Sequence, residues 1–251
     1  MLMSVAERAI SGLTTMPVYP ELAGSRVLIT GVSRRTGVDL ASAFADHKTR
    51  LIVNFADDCP EMQALAELMT LQAMDLRIFH DDLAKAEEVT RFIQTAARIY
   101  GGLDAVINFL HLPAGEIAAN ADYCDVEKHV AAKLLAPCLI SRIAANRMAL
   151  IWSQGVVLNI VTMDDAGSNA DIAIAGVTKA ALSTMTRKQA LEWSDQAVRI
   201  NAVIPEVLTQ SKSSGDSLSS QTDIAALALY LASSRGAKLT GHVFDADSTM
   251  G

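Results

Sequence analysis

Between Thr30 and Gly37 the chain reads Thr-Gly-Val-Ser-Arg-Arg-Thr-Gly, a glycine-bounded turn between a β-branched run and a helical stretch. Arg34 and Arg35 place two guanidinium groups in that turn, and their forked donors match phosphate oxygens bidentately. The competing reading of the same pair is a solvated basic loop. The other chemistry-bearing side chains form no constellation. Cys59, Cys124 and Cys138 are an odd, scattered set without CxxC spacing, which points to neither a disulfide framework nor a zinc site. His47, His80, His129 and His242 lack metal-ligand spacing, and Met62, Met69 and Met74 read as core or helix-face residues.

The turn belongs to a longer alternation. Val27-Leu28-Ile29-Thr30 predicts a strand and Val38–His47 a helix with Leu40, Ala41 and Phe44 on one side. Strands follow at Arg50–Phe55, Leu76–Phe79, Ala105–Phe109, Gly155–Thr162, Val198–Ile204 and His242–Asp245. Helices fall between them at Glu61–Gln72, Ala86–Ile99, Val126–Asn146, Ala173–Trp193 and Asp223–Ala232. Apolar strands with little alternation, each separated by a helix, specify a mostly parallel sheet covered on both faces. The fold class is therefore α/β, doubly wound and Rossmann-type, in a single domain over residues 25–251. Residues 1–24 lack a strong period, and Pro17 and Pro20 limit any helix to Ser4–Ser11, so this segment reads as an N-terminal extension. The Ser-rich stretch Ser211–Ser220 reads as a loop.

A net charge of −7 over 251 residues argues against a partner bound by phosphate neutralisation, nucleic acid above all. Apolar residues at 51% and charged residues at 20% supply a core and leave no compositional case for long disorder. No run approaches 18 apolar residues, and Glu7 and Arg8 interrupt any leader-like start, so a cytoplasmic location without membrane association is the expectation.

From about Ser25 onward the chain resembles the short-chain dehydrogenase/reductase family. The landmarks are Thr30–Gly37 as a T-G-x-x-x-G-x-G loop, Asp82-Leu83 after the third strand, Gly102-Leu103-Asp104 opening the fourth and Asn108 at its end. Lys179-Ala180-Ala181-Leu182 follows as the end of Y-x-x-x-K, then Arg199–Pro205 and Leu239-Thr240-Gly241. The resemblance implies a nicotinamide dinucleotide held by Thr30, Gly31, Ser33, Arg34, Arg35, Gly37, Asp82, Leu83 and Asn108. The Arg34/Arg35 pair would select NADP through its 2′-phosphate. It also implies a catalytic cleft with Thr162 at the family's Ser position, Lys179 at its Lys and Lys133 at its relay Asn. Two ammonium groups in one cleft repel unless paired, and Asp164 and Asp165 are the nearest acidic candidates in sequence.

Several departures fall on the chemistry. The position of the family's proton-carrying Tyr is Ala175, and none of Tyr19, Tyr100, Tyr123 and Tyr230 lies near Lys179. The middle loop glycine is Arg35, and N-N-A-G reads Asn108-Phe109-Leu110-His111. Glu206 stands after Pro205, and Phe55 stands where an Asp selects NAD. His111 is read as filling the vacated cofactor volume. These residues point to a degenerate member, non-catalytic and acting in binding, regulation or partnership, with NADP as cofactor if there is one. The alternative is an active NADP-dependent reductase of a small carbonyl substrate using Lys179 and Thr162. The resemblance further implies a homodimer or homotetramer, or a hetero-oligomer with an active relative. Contact would run through the helices aligned with Val126–Asn146 and Ala173–Trp193, the latter carrying Ala173, Ala175, Gly176, Ala180 and Ala181.

Overall fold

The short apolar runs become strands because each has both faces covered by helices. The computed structural model describes residues 18–112, 123–163, 169–204 and 221–245. Its strands are β1 (Arg26–Val32), β2 (Arg50–Phe55), β3 (Asp75–Phe79), β4 (Ala105–Leu112), β5 (Val156–Met163), β6 (Arg199–Ile204) and β7 (Val243–Asp245). They form one sheet in the order β3-β2-β1-β4-β5-β6-β7, with every neighbouring pair parallel. Helices α1 (Val38–Asp46), α2 (Pro60–Gln72), α3 (Ala86–Ile99), α4 (Tyr123–Leu150), α5 (Asn169–Glu192) and α6 (Gln221–Ala232) alternate with them. The strand order reverses between β1 and β4, and in sheets of this kind the ligand crevice opens at that point, outside the carboxyl ends of the strands.

Successive strand residues feed opposite cores. Val27 and Ile29 pack with Leu40 and Phe44 of α1, Met62, Leu65 and Met69 of α2, and Ala228 and Leu229 of α6. Leu28, between them, joins Phe92 and Ile93 of α3 and Ile140, Ala144 and Met148 of α4. Burying one such side chain contributes about 1.5–3 kcal/mol. Since both sets are apolar, the strand sequences carry no alternation. Met74, just past α2, is exposed.

The core begins earlier than the sequence pattern indicates. Tyr19, which precedes a 3-10 turn (Pro20–Leu22), and Leu22, its last residue, are buried in the first core. Ser234 donates to Glu21 at 2.9 Å and the Arg235 guanidinium lies over the Tyr19 ring at 5.4 Å. The Ser4–Ser11 helix and the Ser211–Ser220 loop lie outside the described residues. Helix α4 is longer than its periodicity indicates and runs through Pro137. Strand β4 continues three residues past Phe109, which places His111 opposite Thr162 in the β4/β5 register. Among the described residues no helix is long and apolar enough to cross a membrane.

Polar anchors fix the sheet's amino edge. The Arg26 guanidinium grips Asp104 at 2.6 and 2.9 Å, and the Arg26 backbone N–H and the Ser153 hydroxyl also donate to that carboxylate. Burial alone pushes the Asp104 carboxyl up, but the bonds from Arg26 and Ser153 together hold it below its ordinary value. A depressed carboxyl stabilises the fold above its unfolded pKa of about 3.9 and loses that contribution as pH falls through the folded value. Because the side chain is a third exposed, solvent screening limits the effect to about 1 kcal/mol. Asp104→Asn is therefore expected to lower stability at pH 7 by about that amount, a difference that starts to shrink below about pH 4 and disappears only once pH has fallen below the depressed folded value, read by urea denaturation across that range.

Candidate functional site

A cleft of about 520 Å³ opens at the carboxyl ends of β1 to β4, walled on one side by α4. That volume is in the range of small-molecule sites. Asn54, Phe55, His80, Asp82, Asn108 and Lys133 are among its lining residues. The Asn54 amide donates to the Asp81 carbonyl at 3.1 Å, and the Phe55 and His80 rings meet edge to face at 5.8 Å. Asp82 accepts the Ala84 N–H at 2.9 Å, and Leu83 packs against the second core. Thr30 and Asn108 are buried in the floor. Thr30 Oγ1 donates to Asn108 Oδ1 at 3.0 Å and Asn108 Nδ2 to Asn159 Oδ1 at 2.9 Å, while the Ser141 hydroxyl of α4 donates to the same Asn159 oxygen at 3.2 Å. This chain ties β1, β4, β5 and α4 together, so the polar ends of Thr30 and Asn108 serve the sheet.

The glycine loop is closed by its own chain. Gly31 has φ +74° because β4 passes close by, and a Cβ there would lie 2.6 Å from the Phe109 carbonyl oxygen. Gly37, with φ +85°, heads α1, and a Cβ there would lie 2.8 Å from the Phe109 ring. Phe109 thus lies against the loop and leaves a slot of about 10 Å³ among Thr36, Gly37, Leu40, Thr162 and Ile224. That is room for about one water. The loop amides are also engaged. The Ser33 N–H donates to the Thr36 carbonyl at 2.9 Å and the Thr36 N–H to the Ser33 carbonyl at 3.2 Å and hydroxyl at 3.1 Å. The Arg35 N–H donates to the Ser33 hydroxyl at 3.3 Å and the Arg34 N–H to Asp57 Oδ2 at 3.1 Å. Both arginines are exposed. Asp57 stands 20 residues after Gly37, near the spacing at which a carboxylate meets ribose hydroxyls in dinucleotide sites. Phe55, which the resemblance aligns with the NAD-selecting Asp, is a buried ring two residues earlier.

On the catalytic side Ala175 is buried in α5 and offers no titratable group. Lys179, one turn later, is half-buried and lines neither the cleft nor the slot, whereas Lys133 lines the cleft. Thr162 borders the slot, and its hydroxyl lies 3.4 Å from His111 Nδ1. The tertiary structure therefore gathers Thr30, Gly31, Asp82, Leu83, Asn108, His111 and Lys133 around the cleft and puts Thr36, Gly37 and Thr162 behind Phe109. His111 borders the cleft and does not fill it. Asp164, Asp165 and Glu206 lie outside the described residues. The His111–Thr162 pair was hidden by ending the fourth strand at Phe109, although Leu110 and Leu112 continue its apolar run. Burial pushes the Cys138 thiol up, against a nucleophilic role.

Comparison with known proteins agrees with this geometry. A family model described as enoyl-(acyl carrier protein) reductase matches residues 31–250. The chain is 22% identical to glucose 1-dehydrogenase 2 of Bacillus subtilis, covering 93% of this chain and 97% of that protein. It is 23% identical to the 3-oxoacyl-(acyl-carrier-protein) reductase of Staphylococcus aureus, covering 89% and 96%. Among solved structures, an NADH-dependent reductase complexed with NAD superposes with a TM-score of 0.72 at 21% identity, covering 90% of this chain and 96% of that one. A hydroxysteroid dehydrogenase from Escherichia coli superposes at 0.69 and 19% identity, covering 90% and 96%. With a parallel seven-stranded sheet, a glycine loop at its switch point and a family model spanning most of its length, the chain belongs to the short-chain dehydrogenase/reductase family.

Proposed function

We propose that this chain keeps the family's oxidoreductase scaffold without its hydride-transfer chemistry and works as a binding or partner subunit. The observation that carries the reading is the self-closed loop: every N–H from Ser33 to Thr36 has an intrachain acceptor, and Phe109 lies against Gly37. A pyrophosphate would have to displace both. The Arg34/Arg35 pair then reads as a solvated basic loop, with Asp57 opposing any 2′-phosphate beside Arg34. Ala175 removes the proton carrier independently.

The test is Ala175→Tyr. It places a phenol four residues before Lys179, on the same helix face, where an ammonium lowers a phenol's pKa. General acid–base catalysis contributes about 10²–10⁴-fold, so restored activity is easily detected. The expected outcome is no NADPH oxidation with a panel of ketones and quinones. Turnover would show that the pocket still admits the dinucleotide, and turnover by the parent itself would support the second reading, an NADP-dependent reductase of a small carbonyl using Lys179 and Thr162, for which the Thr162–His111 contact speaks.

Assembly through α4 and α5 is part of the proposal. Leu135 on α4 and Val177 on α5 are exposed apolar residues, and Ala173, Gly176 and Ala180 share the exposed side of α5, whereas Ala175 is buried. Small residues on a helix surface let a second helix approach closely. Light scattering is expected to give a homodimer or homotetramer, or a hetero-oligomer when an active relative is present. Ala180→Arg or Ala181→Arg is expected to shift the homo-oligomer toward monomer, and a parent protein that is monomeric at micromolar concentration would remove this part of the reading.

A further inference from the structure

Helix α4 ends at the sheet's amino edge, opposite the cleft, in a turn of defined geometry. The Trp152 N–H donates to the Ala149 carbonyl at 3.2 Å and the Ser153 N–H to the Met148 carbonyl at 2.9 Å, the paired bonds that close a helix with one residue in the left-handed region. That residue is usually glycine, because a Cβ is strained there. Here it is Trp152, at φ +54°, and its side chain is 90% exposed. The turn is held from the other side as well, since the Ser153 hydroxyl donates to Asp104 at 3.0 Å. Leu150 and Ile151, just before it, are exposed too, and among the described residues no other three consecutive large apolar residues are. Single exposed apolar side chains are ordinary, but a contiguous run presented by strained backbone marks an interaction surface.

The rim of this run is basic. Arg147 lies one turn before Leu150 on the same helix face. Arg98 stands in the last turn of α3, and the Gly101–Gly102 turn that follows it lies directly under the Ile151 side chain, which leaves no room for a Cβ at Gly102. Neither guanidinium forms an ion pair or a hydrogen bond with a described residue, although the chain carries a net charge of −7. Asp104, the acid beside the turn, is already engaged by Arg26 and Ser153.

We infer that Leu150, Ile151 and Trp152, rimmed by Arg98 and Arg147, form a docking surface for a short acidic segment of another protein, with Trp152 as the anchor and the two arginines receiving Asp or Glu side chains. Charge decides between this occupant and a second copy of the chain. A symmetric self-contact brings the same patch against itself, so the unpaired arginines of both copies would meet with like charge. An acidic segment pairs with them instead. Tryptophan and arginine are also residue types in which binding energy concentrates at interfaces. The surface lies at the opposite end of the sheet from the cleft and stands whatever the cleft holds.

A display library of random short peptides is selected on immobilised parent protein and depleted on Trp152→Gly. That change replaces the anchor with the residue the turn prefers, so the fold is expected to persist with a melting temperature no lower than the parent's. Trp152→Asn, which also tolerates the left-handed conformation, is the second probe. The expected outcome is a set of peptides that combine Asp or Glu with aliphatic or aromatic residues, bind the parent and shift its tryptophan emission to the blue. Their affinity should fall about tenfold or more on either Trp152 variant and on the pair Arg98→Glu and Arg147→Glu. Recovery of no peptide that depends on Trp152 overturns the inference, as do peptides that lack acidic residues or ignore the arginine changes. Parent dimers dissociated by Trp152→Gly would put a second copy on the surface, and binding to anionic lipid vesicles lost on Trp152→Gly would put a membrane there; either result also overturns it.

Discussion

Titration of the parent protein with NADPH or NADH is expected to give a dissociation constant no tighter than about 1 mM, close to −4 kcal/mol. Two obstacles act in series. The pyrophosphate needs loop amides that Ser33, Thr36 and Asp57 already occupy, and it needs the volume held by the Phe109 ring. Phe109→Ala removes the second. It joins the slot of about 10 Å³ to the cleft of about 520 Å³, and NADPH affinity is expected to rise at least tenfold, about 1.4 kcal/mol. Truncating a fully buried Phe costs about 3–5 kcal/mol. Phe109 is only partly buried and packs on two glycines, so a loss of about 1–3 kcal/mol is expected. Fluorescence titration and urea denaturation read the two effects separately. A micromolar dissociation constant for the parent would mean that the ring moves aside easily and that the dinucleotide reading must be restored.

Replacing Asn108 by Ala is expected to lower stability by about 2–4 kcal/mol, although the residue stands at a position that in the family faces the cofactor. The Thr30 hydroxyl loses its acceptor at 3.0 Å, and Asn159 loses one of its two donors. Both are almost fully buried, where water cannot replace the lost bond and each unsatisfied group costs about 1–3 kcal/mol. At about 2–4 °C per kcal/mol for a chain of this size, the melting temperature should fall by roughly 5–15 °C. A change below 2 °C in calorimetry would show that the Thr30–Asn108–Asn159–Ser141 chain is decorative.

The doubly wound sheet was legible from the sequence because a strand covered on both faces must be a continuous apolar run, and seven such runs separated by helical periods leave little other topology. The loop was legible too, since Gly31 and Gly37 are forced by contacts as close as 2.6 Å and by positive φ, and such positions admit no other residue cheaply. The absence of a phenol before Lys179 needs no structure at all. What the linear pattern could not supply is which residues from distant segments meet. Asp57 reaching Arg34, Thr222 reaching Asp39 and His111 facing Thr162 are pairings across 23, 183 and 51 positions. Local propensity is blind to them, because they arise from strand register and from the packing of α6 on α1. Tyr19 and Leu22 were missed for the same reason: their anchors are α1 and the turn after α6, and only the closed tertiary structure brings those surfaces together.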